Sequence, residues 1–136
     1  MAKQVLTNVN VTIGGSDLSS YVKAVTLNTK VAEIETTAFG TTGNAKTRVA
    51  GLVDNSVKID FFQDYSAVEG VVYPLVGGTG VTIVVKPNGT GTASTSNPQY
   101  SFQALPLDWS PIDGAVGDAA TVSVTWPITG AITKTP

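Results

Sequence analysis

The chain has 136 residues, no cysteine, no histidine and a formal net charge of −2 at pH 7. Without histidine and cysteine it cannot build the Ser-His-Asp or Cys-His arrangements that activate a nucleophile, nor a zinc site from those ligands. No window contains a run of Lys or Arg that could neutralise a row of phosphates, so tight DNA binding is not expected.

Charged residues make up only 13% of the chain, whereas roughly 25% is usual in globular proteins. Charged side chains are depleted in the cores of protein interfaces, so a weakly charged surface favours a protein that meets other proteins. A soluble Thr-rich β-domain explains the same composition. The length fits one domain, which we predict to span residues 1–136.

Val, Ile and Thr together make up about a third of the residues, and these β-branched side chains suit strands. Alternation of apolar and polar residues marks the best strand candidates. The predicted strands, in chain order, are Val9–Ile13, Val22–Asn28, Val57–Phe61, Val81–Lys86, Tyr100–Trp109 and Val122–Trp126. Gly14 and Gly15 predict a tight turn after the first strand, and Pro106 predicts an edge or a bulge in the fifth.

One segment departs from the strand pattern. Ser66 and Glu69 have the spacing of a capping box, in which both side chains bind free amides at a helix start. We therefore predict a short helix over Ser66–Tyr73, ended by Pro74.

Two stretches, Thr36–Thr47 and Pro87–Pro98, are rich in Gly, Thr, Ser and Asn and predict long loops. Long loops in compact domains are usually either functional or disordered, and the composition is consistent with both.

Carboxylates offer the only remaining route to catalysis or metal binding. Glu33 and Glu35 would share one face of a strand, as paired-carboxylate hydrolysis requires, but surface acids are common. The spacing of the aspartates that might gather round calcium, Asp108, Asp113 and Asp118, matches no calcium loop. We predict no catalytic residue, no cofactor and no metal.

The segment Met1–Gln4 leads directly into alternating residues without an apolar signal-peptide core, and no stretch approaches the roughly 18 apolar residues of a membrane span. We therefore expect no membrane association and a protein that stays in the cytoplasm where it is made.

Seven stretches, in this order and spacing, resemble the major tail proteins of long-tailed siphophages, particularly those that infect actinobacteria. They are Asp17–Leu27, Thr36–Gly40, Arg48–Ser56, Phe61–Tyr65, Asn97–Tyr100, Pro111–Asp118 and Gly130–Lys134.

The resemblance implies a mainly β protein, with a β-sandwich or barrel-like tail-tube fold, one short flanking helix and long loops. It implies a structural virion protein, not an enzyme, whose rings of six stack into the tail tube and conduct DNA into the host. The implied partners are further copies of the chain and the tape-measure, tail-tip or baseplate, and tail-terminator proteins. Viral DNA would cross the lumen without specific binding. The alternative is a head-decoration, baseplate or adhesion sandwich, including a carbohydrate-binding one, since such folds carry many functions.

The resemblance also implies that Thr36–Thr47 and its flanks form an arm between subunits or rings. The candidate contact residues are Phe39, an apolar side chain among small polar ones, with Arg48 and Asp54. An arginine there could form a bidentate pair with a neighbour's carboxylate, and an ordinary exposed arginine explains the sequence equally well.

Overall fold

The structure, a computed structural model, describes residues 5–40 and 42–136. Seven strands form one sheet in the order β2-β1-β5-β6-β7-β4-β3, and every neighbouring pair is antiparallel. The strands are β1 (Asn10–Ile13), β2 (Ser16–Asp17), β3 (Val22–Glu35), β4 (Arg48–Phe62), β5 (Val81–Lys86), β6 (Gln99–Ala104) and β7 (Thr121–Thr135). One short helix, α1 (Val68–Val72), follows β4. The predicted mainly β fold with a short helix is confirmed.

Alternation along the strands places the apolar residues on one face of the sheet. In β4, Val57, Ile59 and Phe61 are fully buried, while Lys58 between them is exposed. The other strands and α1 contribute to the same core, whose largest buried side chains are Trp126, Phe61, Ile13, Ile59 and Ile83. Each such side chain contributes about 1.5–3 kcal/mol when it leaves water, so this single face holds the fold together.

Two tryptophans hold the chain that follows β6 against the core. Trp126 is fully buried, and its Nε1 donates to the Asp108 carbonyl oxygen at 2.9 Å. Trp109 meets the Phe61 ring edge-on with centroids 5.8 Å apart, and its Nε1 donates to Glu69 Oε1 at 3.3 Å. These contacts fix the chain after β6 against the core and against α1.

The helix begins differently from the prediction. The predicted capping box at Ser66 was wrong, because Ser66 makes no cap bond to the helix and Glu69 binds Trp109 instead. Asp64 Oδ1 accepts from the Ser66 and Ala67 amides, each at 2.9 Å, and from the Ser66 hydroxyl. The Ala67 amide, followed by the Ser66 hydroxyl and amide, lowers the pKa of Asp64. The regular helix is Val68–Val72, followed by a 3₁₀ turn at Tyr73–Leu75.

Other strand limits also differ from the sequence-based ones. The strand predicted over Tyr100–Trp109 ends at Ala104, because Pro106 has no amide to continue the ladder. In contrast, β3, β4 and β7 all extend beyond the predicted segments. The tight turn at Gly14 and Gly15 is confirmed, with φ angles of 59° and 87°.

The predicted loop Pro87–Pro98 is organised around one buried side chain. Asn97 Nδ2 donates to the carbonyl oxygens of Asn88 at 3.0 Å and Thr92 at 3.2 Å, while its Oδ1 accepts from the Asn88 amide at 2.9 Å. The loop has almost no strand pairing, and these side-chain bonds give it a defined shape instead. No helix among the described residues is long and apolar enough to cross a membrane.

Substitution on the two faces of β4 tests this account of the core. Replacement of buried Ile59 by Ala should lower the free energy of unfolding by about 2–5 kcal/mol, because it removes packed atoms and leaves a cavity. Lys58→Ala, on the exposed face of the same strand, is the matched control and should change it by less than about 0.5 kcal/mol. Urea unfolding of dilute subunits measures both. Equal effects would contradict the single-faced core.

Candidate functional site: the exposed arm and the groove at its base

The most exposed regular structure is the outer half of the hairpin formed by β3 and β4. β7 pairs with β4 only between Asn55 and Phe62, whereas β3 remains paired with β4 as far as Glu35 opposite Arg48. We call the hairpin from Thr29 to Asp54 the arm. Its paired part extends about 20 Å at roughly 3.4 Å per residue. Both of its backbone edges are unpaired within the described chain.

Apolar side chains cover both faces of the arm without being buried. Val31 lies opposite Val53 on one face, and Ile34 lies opposite Val49 on the other. All four are about half exposed, and Leu52 is 88% exposed. Cross-strand apolar pairs contribute only a few tenths to 1 kcal/mol each, and an isolated two-stranded hairpin is marginal in water.

Gly51 lies at the bulge between the Val31 and Glu33 pairs. A Cβ atom there would come within 2.8 Å of Ile34 Cδ1, so a side chain at residue 51 would force the Ile34 side chain to shift.

Ion pairs and threonine hydrogen bonds join the two sides of the hairpin toward the tip of the arm. Arg48 Nε pairs with Glu33 Oε1, and Lys46 Nζ lies 3.6 Å from Glu35 Oε1. Beyond the strands, the Thr36 amide donates to the Thr47 carbonyl oxygen at 2.8 Å, and the Thr47 amide donates to Thr37 Oγ1 at 2.9 Å. The predicted loop Thr36–Thr47 thus has an ordered base.

The three candidate contact residues all lie on the arm. Phe39 is fully exposed at the tip, where it packs against no core residue. Arg48 is about half exposed and pairs with Glu33 of its own chain. Asp54 lies at the base of the arm, opposite Lys30 in the ladder, and is exposed. The structure therefore places these residues on one element and does not bring them into one cluster.

At the base of the arm, β7 turns away from β4. Gly130 has a φ of 87°, which side chains disfavour, and the ladder between β6 and β7 shifts register at the same place. Asn55 is 4% exposed, and its Nδ2 donates to the Gly130 carbonyl oxygen at 3.3 Å. Asn55 Oδ1 is buried and has no hydrogen-bond partner within the described chain.

Where β7 diverges from β4, the space between the strands on the apolar side of the sheet is not filled. A groove of about 440 Å³ lies between β3 on one side and β5, β6 and β7 on the other. A second hollow of about 450 Å³ lies between the diverging strands β4 and β7 and is lined by Asn55. Thr29 and Ile132 line both. We call the two together the arm-end groove. Its lining includes Leu27, Thr29, Asn55, Tyr100, Ile132 and Lys134.

The sequence did not predict this groove. Leu27 lies in a predicted strand and Ile132 outside all of them, and in the structure both side chains are only partly buried at this end. Its only signal in the sequence is Gly130, a glycine inside a strand, which often marks a bulge.

The candidate catalytic and metal-binding carboxylates do not form a site. Glu33 and Glu35 lie on the arm, where each pairs with a basic residue. Among the described residues no group of three His, Cys, Asp or Glu side chains could hold a metal ion. Near the Gly14–Gly15 turn, the Ser19 hydroxyl and then its amide lower the pKa of Asp17, which fixes the turn leading into β3.

Comparisons with known proteins show the fold. No family model and no curated protein matches the chain. Chains in solved structures of phage-like tails and sheath–tube complexes share its architecture.

A chain of the virion of a native gene transfer agent particle has a TM-score of 0.74 at 12% identity, covering 98% of this chain and 100% of that one. A chain of the tail of an empty gene transfer agent particle, solved with C6 symmetry, has a TM-score of 0.67 at 16% identity over 95% of each chain. A chain from the sheath/tube terminator structure of an extracellular contractile injection system has a TM-score of 0.70 at 11% identity, covering 100% of this chain and 99% of that one.

The ion pair on the arm gives a stability prediction. Arg48→Ala should change the free energy of unfolding of the isolated subunit by less than about 1 kcal/mol, because both partners are exposed and salt screens their attraction. Urea unfolding at low and high salt measures this, with Lys30→Ala on the same arm as the control. A loss several times larger would show that the arm is an integral part of the fold of the single subunit.

Proposed function

We propose that the chain is the structural subunit of a phage tail tube, which forms rings of six that stack head to tail around a DNA conduit. The observation that carries this proposal is the arm, which presents exposed apolar side chains and two unpaired backbone edges. Such edges are a template for pairing with another chain, and monomeric proteins usually protect them. The shared fold supports the proposal.

Ring formation would satisfy the free edges of the sheet. β2 and β3 are its two outermost strands, so a closed ring could pair them across subunits. A heterologous contact that repeats along an axis grows without limit, and this accounts for stacking into a tube. The arm, through Phe39, Arg48 and Asp54, would make contacts between subunits or rings.

The charge distribution is consistent with a conduit that does not hold its cargo. Lys30 lies opposite Asp54, and Lys58 shares its face of β4 with Asp60. Six copies at −2 each give a ring a formal charge of −12, which would repel DNA if enough of the acids face the lumen. A lumen lined by Lys23, Lys58 and Lys86 would contradict this part of the proposal.

In this role the chain has no enzymatic activity and belongs to the tail of a virion, after assembly in the host cytoplasm. The sequence resemblance favours a long-tailed siphophage of an actinobacterium. The partners we propose beyond the chain itself are the tape-measure protein inside the tube and the tail-tip or baseplate and terminator proteins at its ends.

Negative-stain electron microscopy over a range of protein concentrations tests the tube directly. We expect hollow filaments or stacked rings, with six-fold symmetry in end views. Mixing with tail-tip complexes controls for a subunit that requires nucleation. Monomers under every condition, with no rings even after addition of tail tips, would contradict the proposal.

The arm can be tested separately through its most exposed aromatic residue. Phe39→Ser should reduce tube formation at least about tenfold while leaving urea unfolding unchanged, because the side chain packs against no core residue. Tyr73→Ser, an exposed aromatic position beside α1, is the control and should assemble normally. Limited trypsin digestion at Lys46 and Arg48 adds a second measurement. Cleavage that is equally fast in subunits and tubes would count against burial of the arm.

A further inference from the structure

The end of the molecule opposite the arm carries a second exposed apolar surface. The segment Pro111–Asp118, which we call the tip loop, connects β6 to β7 beyond the point where β4 ends. Ile112 is 84% exposed and Val116 is fully exposed. The distance along β4 from Asn55 to Phe62 is about 25 Å at roughly 3.4 Å per residue, so the start of the tip loop and the arm-end groove lie at opposite ends of this part of the strand.

The tip loop is held firmly at its start. The Pro111 carbonyl oxygen accepts from Gln63 Nε2 and from the Tyr65 hydroxyl, each at 3.0 Å. The Trp126 bond to Asp108 anchors the segment just before it. The exposed apolar side chains therefore project from a fixed base, which lowers the entropy lost on binding.

The arm-end groove has the complementary chemistry. Its apolar walls include Leu27 and Ile132, and Lys134 lies at its margin. The tip loop presents apolar Ile112 and Val116 next to two acids, Asp113 and Asp118. The apolar side chains of the tip loop therefore match the apolar walls of the groove, and its two carboxylates match the charge of Lys134.

One residue of the groove lining also has an unsatisfied polar atom. Asn55 Oδ1 is buried and has no hydrogen-bond partner within the described chain, which costs about 1–3 kcal/mol for a polar atom withdrawn from water. The apolar walls and Lys134 together suit a ligand with apolar groups and negative charge.

We propose that the tip loop of one subunit inserts into the arm-end groove of the next copy along the tube. This inference rests on the proposed tube and adds the pair of surfaces that stacks its rings. The two surfaces lie at opposite ends of one chain, so each subunit uses both, and the contact gives the tube a direction. In the same junction, the arm beside the groove extends along the neighbour that supplies the loop.

Cysteine cross-linking tests the contact, because the natural chain has no cysteine. Val116→Cys combined with Thr29→Cys in one chain places a thiol at each end, and both positions are exposed. Mild oxidation of assembled tubes should give a ladder of multimers on a non-reducing gel. Each single variant should give monomers, and an equal mixture of the two should give dimers only.

The control variant joins Val116→Cys to Thr125→Cys, an exposed position on the opposite face of β7 from the groove, and should give no ladder. Tubes of the first double variant without a ladder would overturn the inference and leave the proposed function standing. Absence of tubes from the natural chain, with tail tips present, would contradict both.

A charge exchange provides a second test, should the cysteine variant fold poorly. Lys134→Asp alone, or Asp113→Lys with Asp118→Lys, should raise the protein concentration needed for assembly at least about tenfold. The three changes together should restore assembly at low salt. Additive loss in the triple variant would overturn the pairing, whereas restored tubes would support it.

Discussion

The divergence of β7 from β4 at Asn55 is the feature on which the rest of the structure depends. Up to that residue, β4 lies between β3 and β7, and one continuous apolar face packs the core. Beyond it, β3 and β4 remain paired with each other but β7 no longer pairs with β4, and this leaves the groove between the strands. The arm, its free edges and the groove are consequences of this one change of direction, which Gly130 permits by its positive φ.

The chain leaves part of its apolar surface uncovered. Exposed apolar side chains lie on the arm and on the tip loop, the apolar residues of the groove are only partly buried, and the buried Asn55 acceptor is unsatisfied within the described chain. Natural sequences usually avoid each of these features in a monomer, because they favour aggregation or cost free energy. Their presence together at the two ends of one sheet is accounted for if other copies of the chain cover them.

The sequence predicted most of the core correctly and little of the arm and the groove. Alternation alone located Val57–Phe61 and Val122–Trp126, because burial of one sheet face imposes a period of two. It did not show that β4 continues as far as Arg48, since the arm buries neither face and its pattern is set by a bulge. The capping box failed because Asp64, two residues before the predicted start, binds the amides that the box would have used. Its side chain accepts from the Ser66 amide, and its carbonyl oxygen accepts from the Glu69 amide.

Phe39, Arg48 and Asp54 were chosen from the sequence resemblance, and the structure places all three on the arm without testing their contacts. The groove could not be predicted in this way, because alternation in the sequence does not show that apolar residues such as Leu27 and Ile132 are only partly buried where β7 leaves β4. The two ends of the molecule also differ in charge. The arm-end groove has Lys134 in its lining, and the tip loop has the two acids Asp113 and Asp118. A symmetric pairing of like ends would bring like charges together, so electrostatics favours the arrangement in which unlike ends meet. A polymer built in this way has a direction, as the proposed tube with different proteins at its two ends requires.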